Sequence, residues 1–230
     1  MSSKFLRGAL IQMTQSFGAT TPNVIIFQYN PETLTHGWSP AEVDYQPGQG
    51  TNPLAVRGLP AETFSFTLVM DASDQIAALD PMAITSGIYT RLAALEMLLF
   101  PTVGDEQSAS LTAVVSTATD EEGDSTESQT VPAGDLPVVL FVWGGARIVP
   151  VRVQSLSVTE TLYDVLLNPT HAEATVTLQV LTKQDLANAT GPLAELARGA
   201  YDYTHGARQA FALANLANAQ AAAIGMIPFL

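Results

Sequence analysis

Between Ala61 and Asp71 the chain reads AETFSFTLVMD, with Phe64, Phe66 and Leu68 alternating with Thr63, Ser65 and Thr67. A period of two over that length describes a strand with one face on a core and the other toward solvent. The pattern returns in AEATVTLQVLTK, where Ala174, Val176, Leu178 and Val180 share one face and Thr175, Thr177 and Gln179 the other. Two further strand-like runs precede it. LPVVLFVWGG is apolar and closed by glycines, and ARIVPVRVQSLSVTETLY alternates from Val151 through Val153. Pro150 is expected to mark an edge or a bulge, since proline cannot donate to a ladder. Short turns at Gly144-Gly145 and in DVLLNPTH join the three runs into an antiparallel meander, the material of a barrel or sandwich.

Upstream, NVIIFQY is rich in β-branched and aromatic residues and ends at Asn30-Pro31, where the chain must turn. LTHGWSP and YQPGQGTNPLAVRGLP read as an extended arm and a long loop. ITSGIYTRLAALEMLLF places Ile88, Leu92, Leu95 and Leu99 on one side of a helix that Pro101 ends. Residues 104–134 hold seven acidic residues and no basic ones, with strand character in SLTAVVSTAT and that of a solvated loop tip in DEEGDSTESQT. From Gln184 the chain is Ala-rich and helical, interrupted at Gly191-Pro192. The expected fold is therefore mainly β (α+β): a β domain over 1–183 carrying an acidic insertion, and a helical extension over 184–230. The extension has little polar surface and should bury itself. It can pack back on its own domain or dock on a neighbouring subunit, and Leu196, Ala200, Phe211, Leu216 and Phe229 are the candidate docking residues.

Charged residues make up only 13% of the chain, where about 25% is usual. Part of the surface meeting other protein explains this, and so does a well-packed domain rich in Thr and Ala. A net charge of −13 with nine scattered basic residues argues against a nucleic-acid partner, because phosphate binding needs clustered Lys and Arg. The absence of cysteine excludes disulfides and thiolate metal sites. The apolar run Ala9 to Met13 is too short for a signal sequence. The charge-free stretch Gln209 to Leu230 carries Gln209, Asn215, Asn218 and Gln220, which makes it a poor membrane span.

Catalytic vocabulary is sparse. His36, His171 and His205 lie in three regions without metal-ligand spacing, and no P-loop, dinucleotide or zincin motif occurs. Asp71, Asp74 and Asp80 do not fit a calcium-loop pattern and read better as caps of the helices that follow. The chain reads as a non-enzyme, with no metal or cofactor expected.

FQYNPETL, FSFTLVMDASD, LAALEMLLFP, LPVVLFVWGG and VQSLSVTETLYDVLLNPTHAEATVTLQVL occur in that order, over Phe27 to Thr182. In this order they resemble the tube-type proteins of contractile injection systems, the phage-tail-like particles. More narrowly they look like the baseplate inner-tube initiator, or hub. The Asn30-Pro31 turn is similar to the family's Phe-Asn-Pro turn, Asp71 to the aspartate closing its Phe-rich strand, and Trp143-Gly144 to the Trp-Gly ending a central strand. Thr170-His171-Ala172 stands where the family has Pro-Val-Arg-Ala, so the arginine is missing. The family's LysM domain is also missing, since Gln184 to Leu230 has no strand pattern.

The resemblance implies a tail-tube-like β-barrel with a flanking helix, in a hexameric ring between spike and tube that nucleates tube assembly. It implies partners in the spike, the tube protein and other baseplate components, cytoplasmic assembly, and no direct membrane insertion. A bulk tube or cap subunit of the same particle is the near alternative. A carbohydrate- or ligand-binding β-barrel, with Trp38 and Trp143 available for its pocket, is the distant one. The acidic segment Asp105 to Glu127 is expected to meet a basic baseplate surface or simply to be solvated.

Overall fold

A computed structural model describes residues 6–16, 19–41, 58–100, 138–187, 189 and 192–226. The expected strand in SLTAVVSTAT, the acidic insertion, all but the last three residues of the long loop YQPGQGTNPLAVRGLP, and Phe229 lie outside them. The described chain is mainly β. Strands β1 (Ala9–Ser16), β2 (Ala19–Ile26), β3 (Leu34–Ser39), β4 (Ala61–Asp71), β5 (Val139–Val142), β6 (Ile148–Tyr163) and β7 (Pro169–Val180) form one antiparallel sheet. Its order is β2-β1-β5-β6-β7-β4-β3. The expected meander is its centre, β5-β6-β7. Helices α1 (Ser73–Ala77), α2 (Pro81–Ser86) and α3 (Tyr89–Glu96) follow β4, and α4 (Pro192–Met226) ends the described chain.

The alternation in β4 and β7 sets the inner face. Phe64, Phe66, Leu68 and Met70 of β4 are buried with Ala172, Ala174, Val176, Leu178 and Val180 of β7. On the outer face the same two strands pair hydroxyls, Ser65 with Thr177 at 3.4 Å and Thr67 with Thr175 at 3.1 Å. β4 and β5 are separated in the sheet by β6 and β7, yet their rings touch. Phe141 lies 5.2 Å from Phe64 and 5.5 Å from Phe66, centroid to centroid. The sheet therefore coils until its inner face meets itself, as its right-handed twist allows. Closure of a barrel by backbone pairing does not follow. Among the described residues no ladder joins the outermost strands, β2 and β3, so the sheet is open.

Two local expectations change. Pro150 sits inside the sheet, opposite Leu140, and its carbonyl accepts from the Leu181 N–H at 2.8 Å. The irregularities of β6 fall instead farther along, where its register on β7 shifts between Val153 and Ser155 and again on either side of Leu162. The single expected helix breaks at Gly87 into α2 and α3, and a 3₁₀ turn over Met97–Leu99 follows. Ile88, Leu92 and Leu95 are buried as the periodicity predicts. Leu99 is not, and Leu98 replaces it in the core, because a tighter turn of three residues per revolution rotates the buried face back by one position.

Gly87 is the pivot of that break. Its φ is +56° with ψ −124°, a region closed to L side chains, and a Cβ there would collide with the Pro169 carbonyl oxygen. Gly87→Ala is expected to cost about 3 kcal/mol, from backbone strain plus overpacking. Urea unfolding measures it, and a loss below about 1 kcal/mol would mean that the helical connection relaxes freely.

Candidate functional site

β2 and β3, the two outermost strands, are consecutive in the chain, so residues 27–33 must carry the chain across the gap between the sheet's ends. Side chains stitch that seam where the ladder does not. The Asn30 carboxamide behaves like a peptide group: Oδ1 accepts from the Gly8 N–H at 2.9 Å and Nδ2 donates to the Leu6 carbonyl at 2.8 Å. Gln28 does the same on the other side. Its Nε2 donates to the Asp71 carbonyl at 2.9 Å, and its Oε1 accepts from the Asp71 N–H at 3.1 Å and from Arg91 Nη1 at 2.5 Å. Phe27, just before the two amides, packs on Phe66 at 5.4 Å and on Trp143 at 6.5 Å. Gly8 lets these rings approach, since a Cβ there would lie 2.7 Å from Phe27 and 2.8 Å from Trp143.

Three residues singled out in the sequence, Asn30, Asp71 and Trp143, thus meet around one short connection. Pro31 directs the chain out of it. Gly144, with φ +73°, makes the β5–β6 turn, which the Trp143 N–H closes on the Arg147 carbonyl at 2.8 Å. The Asp71 carboxyl is held below the usual carboxylate range by the hydroxyl and amide of Ser73, with burial opposing and His171 adding a smaller pull. His171 pairs with Asp71 across the strands, Nδ1 to Oδ2 at 3.1 Å. Asp80 caps α2 as expected, accepting from the Met82 N–H at 2.9 Å. Gln28→Met keeps the volume and removes the amide. It is expected to cost about 2 kcal/mol by leaving the Asp71 peptide groups unpaired. Equal stability of variant and parent in chemical denaturation would show that the amide does not hold the seam.

The root of α4 is fixed at the opposite end of β4. Ala194, Ala197 and Ala200 are buried, and the Thr204 hydroxyl accepts from the Ile148 N–H at 3.0 Å and donates to its carbonyl at 2.6 Å. Arg208 then forks onto the buried Glu62, Nη1 to Oε2 at 2.9 Å and Nη2 to Oε1, while its guanidinium covers the Trp38 ring at 4.9 Å. His36 shares the carboxylate, Nε2 to Oε1 at 2.8 Å. Burial, with the Glu62 charge second, raises the Tyr201 phenol above its ordinary range.

Past Arg208 the described side chains of α4 are exposed as far as Leu216. The docking candidates therefore divide. Leu196, Phe211 and Leu216 are exposed, whereas Ala200 is spent against its own domain, because close approach of the helix to the sheet needs small residues on that face.

Sequence reasoning missed Gln28, Glu62, Thr204 and Arg208. Glu62 was readable as a carboxylate in phase with Phe64 and Phe66, which places it inward. Among the described residues no group of three or more His, Asp or Glu is placed to hold a metal ion, and no helix is long and apolar enough to cross a membrane. No protein-family model matches this chain, and no curated protein matches it.

Proposed function

We propose that the chain is a ring-forming structural subunit of a contractile injection baseplate, the inner-tube initiator seated between spike and tube. The observation that carries this reading is the β6–β7 hairpin. β5 covers β6 only from Ile148 to Val151, and β6 then runs on to Tyr163 with β7 as its one strand neighbour among the described residues. A long open edge is a template for a neighbour's strand, and a closed ring of copies removes it. The coiled sheet, drawn together at its seam, suits the tube-type barrel that the order of motifs resembles. Electron microscopy of lysates from the producing cell, with and without the gene, tests the reading. Loss of sheathed particles, with sheath and tube parts left unassembled, is expected. Normal contractile particles would overturn it.

One observation favours a second reading, a ligand-binding module. A cleft of about 260 Å³ opens between β2 and α3, lined by Val24, Ile25, Leu68, Met70, Arg91 and Leu95 among others. Neither tryptophan lines it. Stabilisation of the pure protein by a small ligand in thermal unfolding would favour this reading over the ring.

A further inference from the structure

The end of the sheet farthest from the α4 root carries an exposed aliphatic tip. In the β6–β7 turn Val165 is 98%, Leu166 71% and Leu167 79% exposed, and Leu79, before α2, is 75% exposed. The two segments belong to one end of the molecule: Asn168 Nδ2 donates to the Thr85 carbonyl at 3.1 Å, and the Ile88 N–H to the Pro169 carbonyl at 2.8 Å.

The backbone makes this tip unusual. Leu79 and Leu167 are the described non-glycine residues with positive φ, at +59° and +64°. Leucine is disfavoured there and glycine or asparagine is not. Both sites thus keep a large apolar side chain in water on a backbone that would be more stable without it. Neither folding nor solubility accounts for that, and contact with a partner does. The β6–β7 turn is held by hydrogen bonds of its own. The Asp164 carboxylate turns inward, accepting from the Leu166 N–H at 2.7 Å, the Asn168 N–H at 2.9 Å and Asn168 Nδ2 at 2.9 Å. Asp80 is likewise turned onto α2.

The opposite pole offers a surface of the same chemistry. No charged residue occurs from Gln209 to Leu230, and Phe211, Leu213 and Leu216 stand exposed on the helix beyond its anchor. Copies of a chain with net charge −13 repel one another across most of their surfaces. An arm without charge meets no such repulsion, and tip and arm both offer apolar area. A lipid surface suits the tip less well, since an acidic chain is repelled by anionic headgroups.

We infer that the leucine tip of one copy receives the uncharged helical arm of the next. This deepens the ring reading by naming a contact between copies. The contact is heterologous, so it closes into a ring when the rotation between copies allows and runs open when it does not.

Sedimentation velocity over a range of concentrations tests it with two variants of the full chain. Leu79→Gly with Leu167→Gly removes the tip while relaxing the backbone, so its melting temperature should equal or exceed the parent's. Phe211→Glu with Leu216→Glu places charge on the arm. The parent should associate with rising concentration and each variant alone should stay monomeric. An equimolar mixture of the two should give a one-to-one dimer and nothing larger, because one intact tip meets one intact arm. A parent that stays monomeric overturns the inference, as does a variant that associates by itself or a mixture that does not pair. Rings that persist in both variants overturn this contact and leave the ring reading standing. Association that both variants abolish but that never closes keeps the contact and overturns the ring.

Discussion

Arg208→Ala should destabilise the chain by about 3 kcal/mol, since removing one partner of a buried ion pair leaves the other desolvated and unpaired. The Glu62 side chain is only 4% exposed, so it cannot recover water when the guanidinium leaves. The lower end of the usual 3–5 kcal/mol applies, because Arg208 is itself 33% exposed and His36 keeps its bond to Oε1. At roughly 2–4 °C per kcal/mol for a chain of this size, the midpoint falls by about 6–12 °C. The control is the double variant Glu62→Leu with Arg208→Leu, which exchanges two charges for two aliphatic groups and should lie close to the parent. Urea titration of the three proteins decides. A single-variant loss under about 1 kcal/mol would mean that α4 is rooted by its alanines and Thr204 alone.

Phe141→Ala should cost more, about 4 kcal/mol. The ring is fully buried, and it joins Phe64 and Phe66 of a strand on the far side of the coiled sheet to Trp143. Its loss opens a cavity where two halves of the sheet meet, and backbone ladders on either side keep that cavity from collapsing. The comparison is Phe211→Ala, the same change on the exposed helix, which should stay within about 0.5 kcal/mol of the parent. If the two substitutions cost the same, the inner face does not meet itself at Phe141.

What the sequence made legible was local. The alternation in β4 and β7 declared which face each side chain takes, and Asp80 before proline declared a helix start. β1 was not legible, because GALIQMTQS mixes apolar and polar residues without a clean period and its identity comes from the strands on either side. The break at Gly87 was hidden by leucines spaced for one continuous helix. A positive φ leaves no periodic trace, and only the crowding against Pro169 reveals it. Asn30 could be read as a turn residue, but its pairing with Gly8 and Leu6 depends on chain more than twenty positions away. Gln28 carried no signal at all. A glutamine after a strand is ordinary until the end of another strand arrives beside it.

Strand number and stagger together fix the girth of a closed barrel, so changing it means breaking a ladder. This sheet is free of that constraint along one line. Along it the carboxamides of Gln28 and Asn30 tie the β2–β3 connection to Asp71 of β4 and to Leu6 and Gly8 ahead of β1, and none of these is a ladder bond. The molecule thus has an expansion joint. The spacing there can change at the expense of these bonds and of the ring contacts of Phe27, with no strand pairing lost.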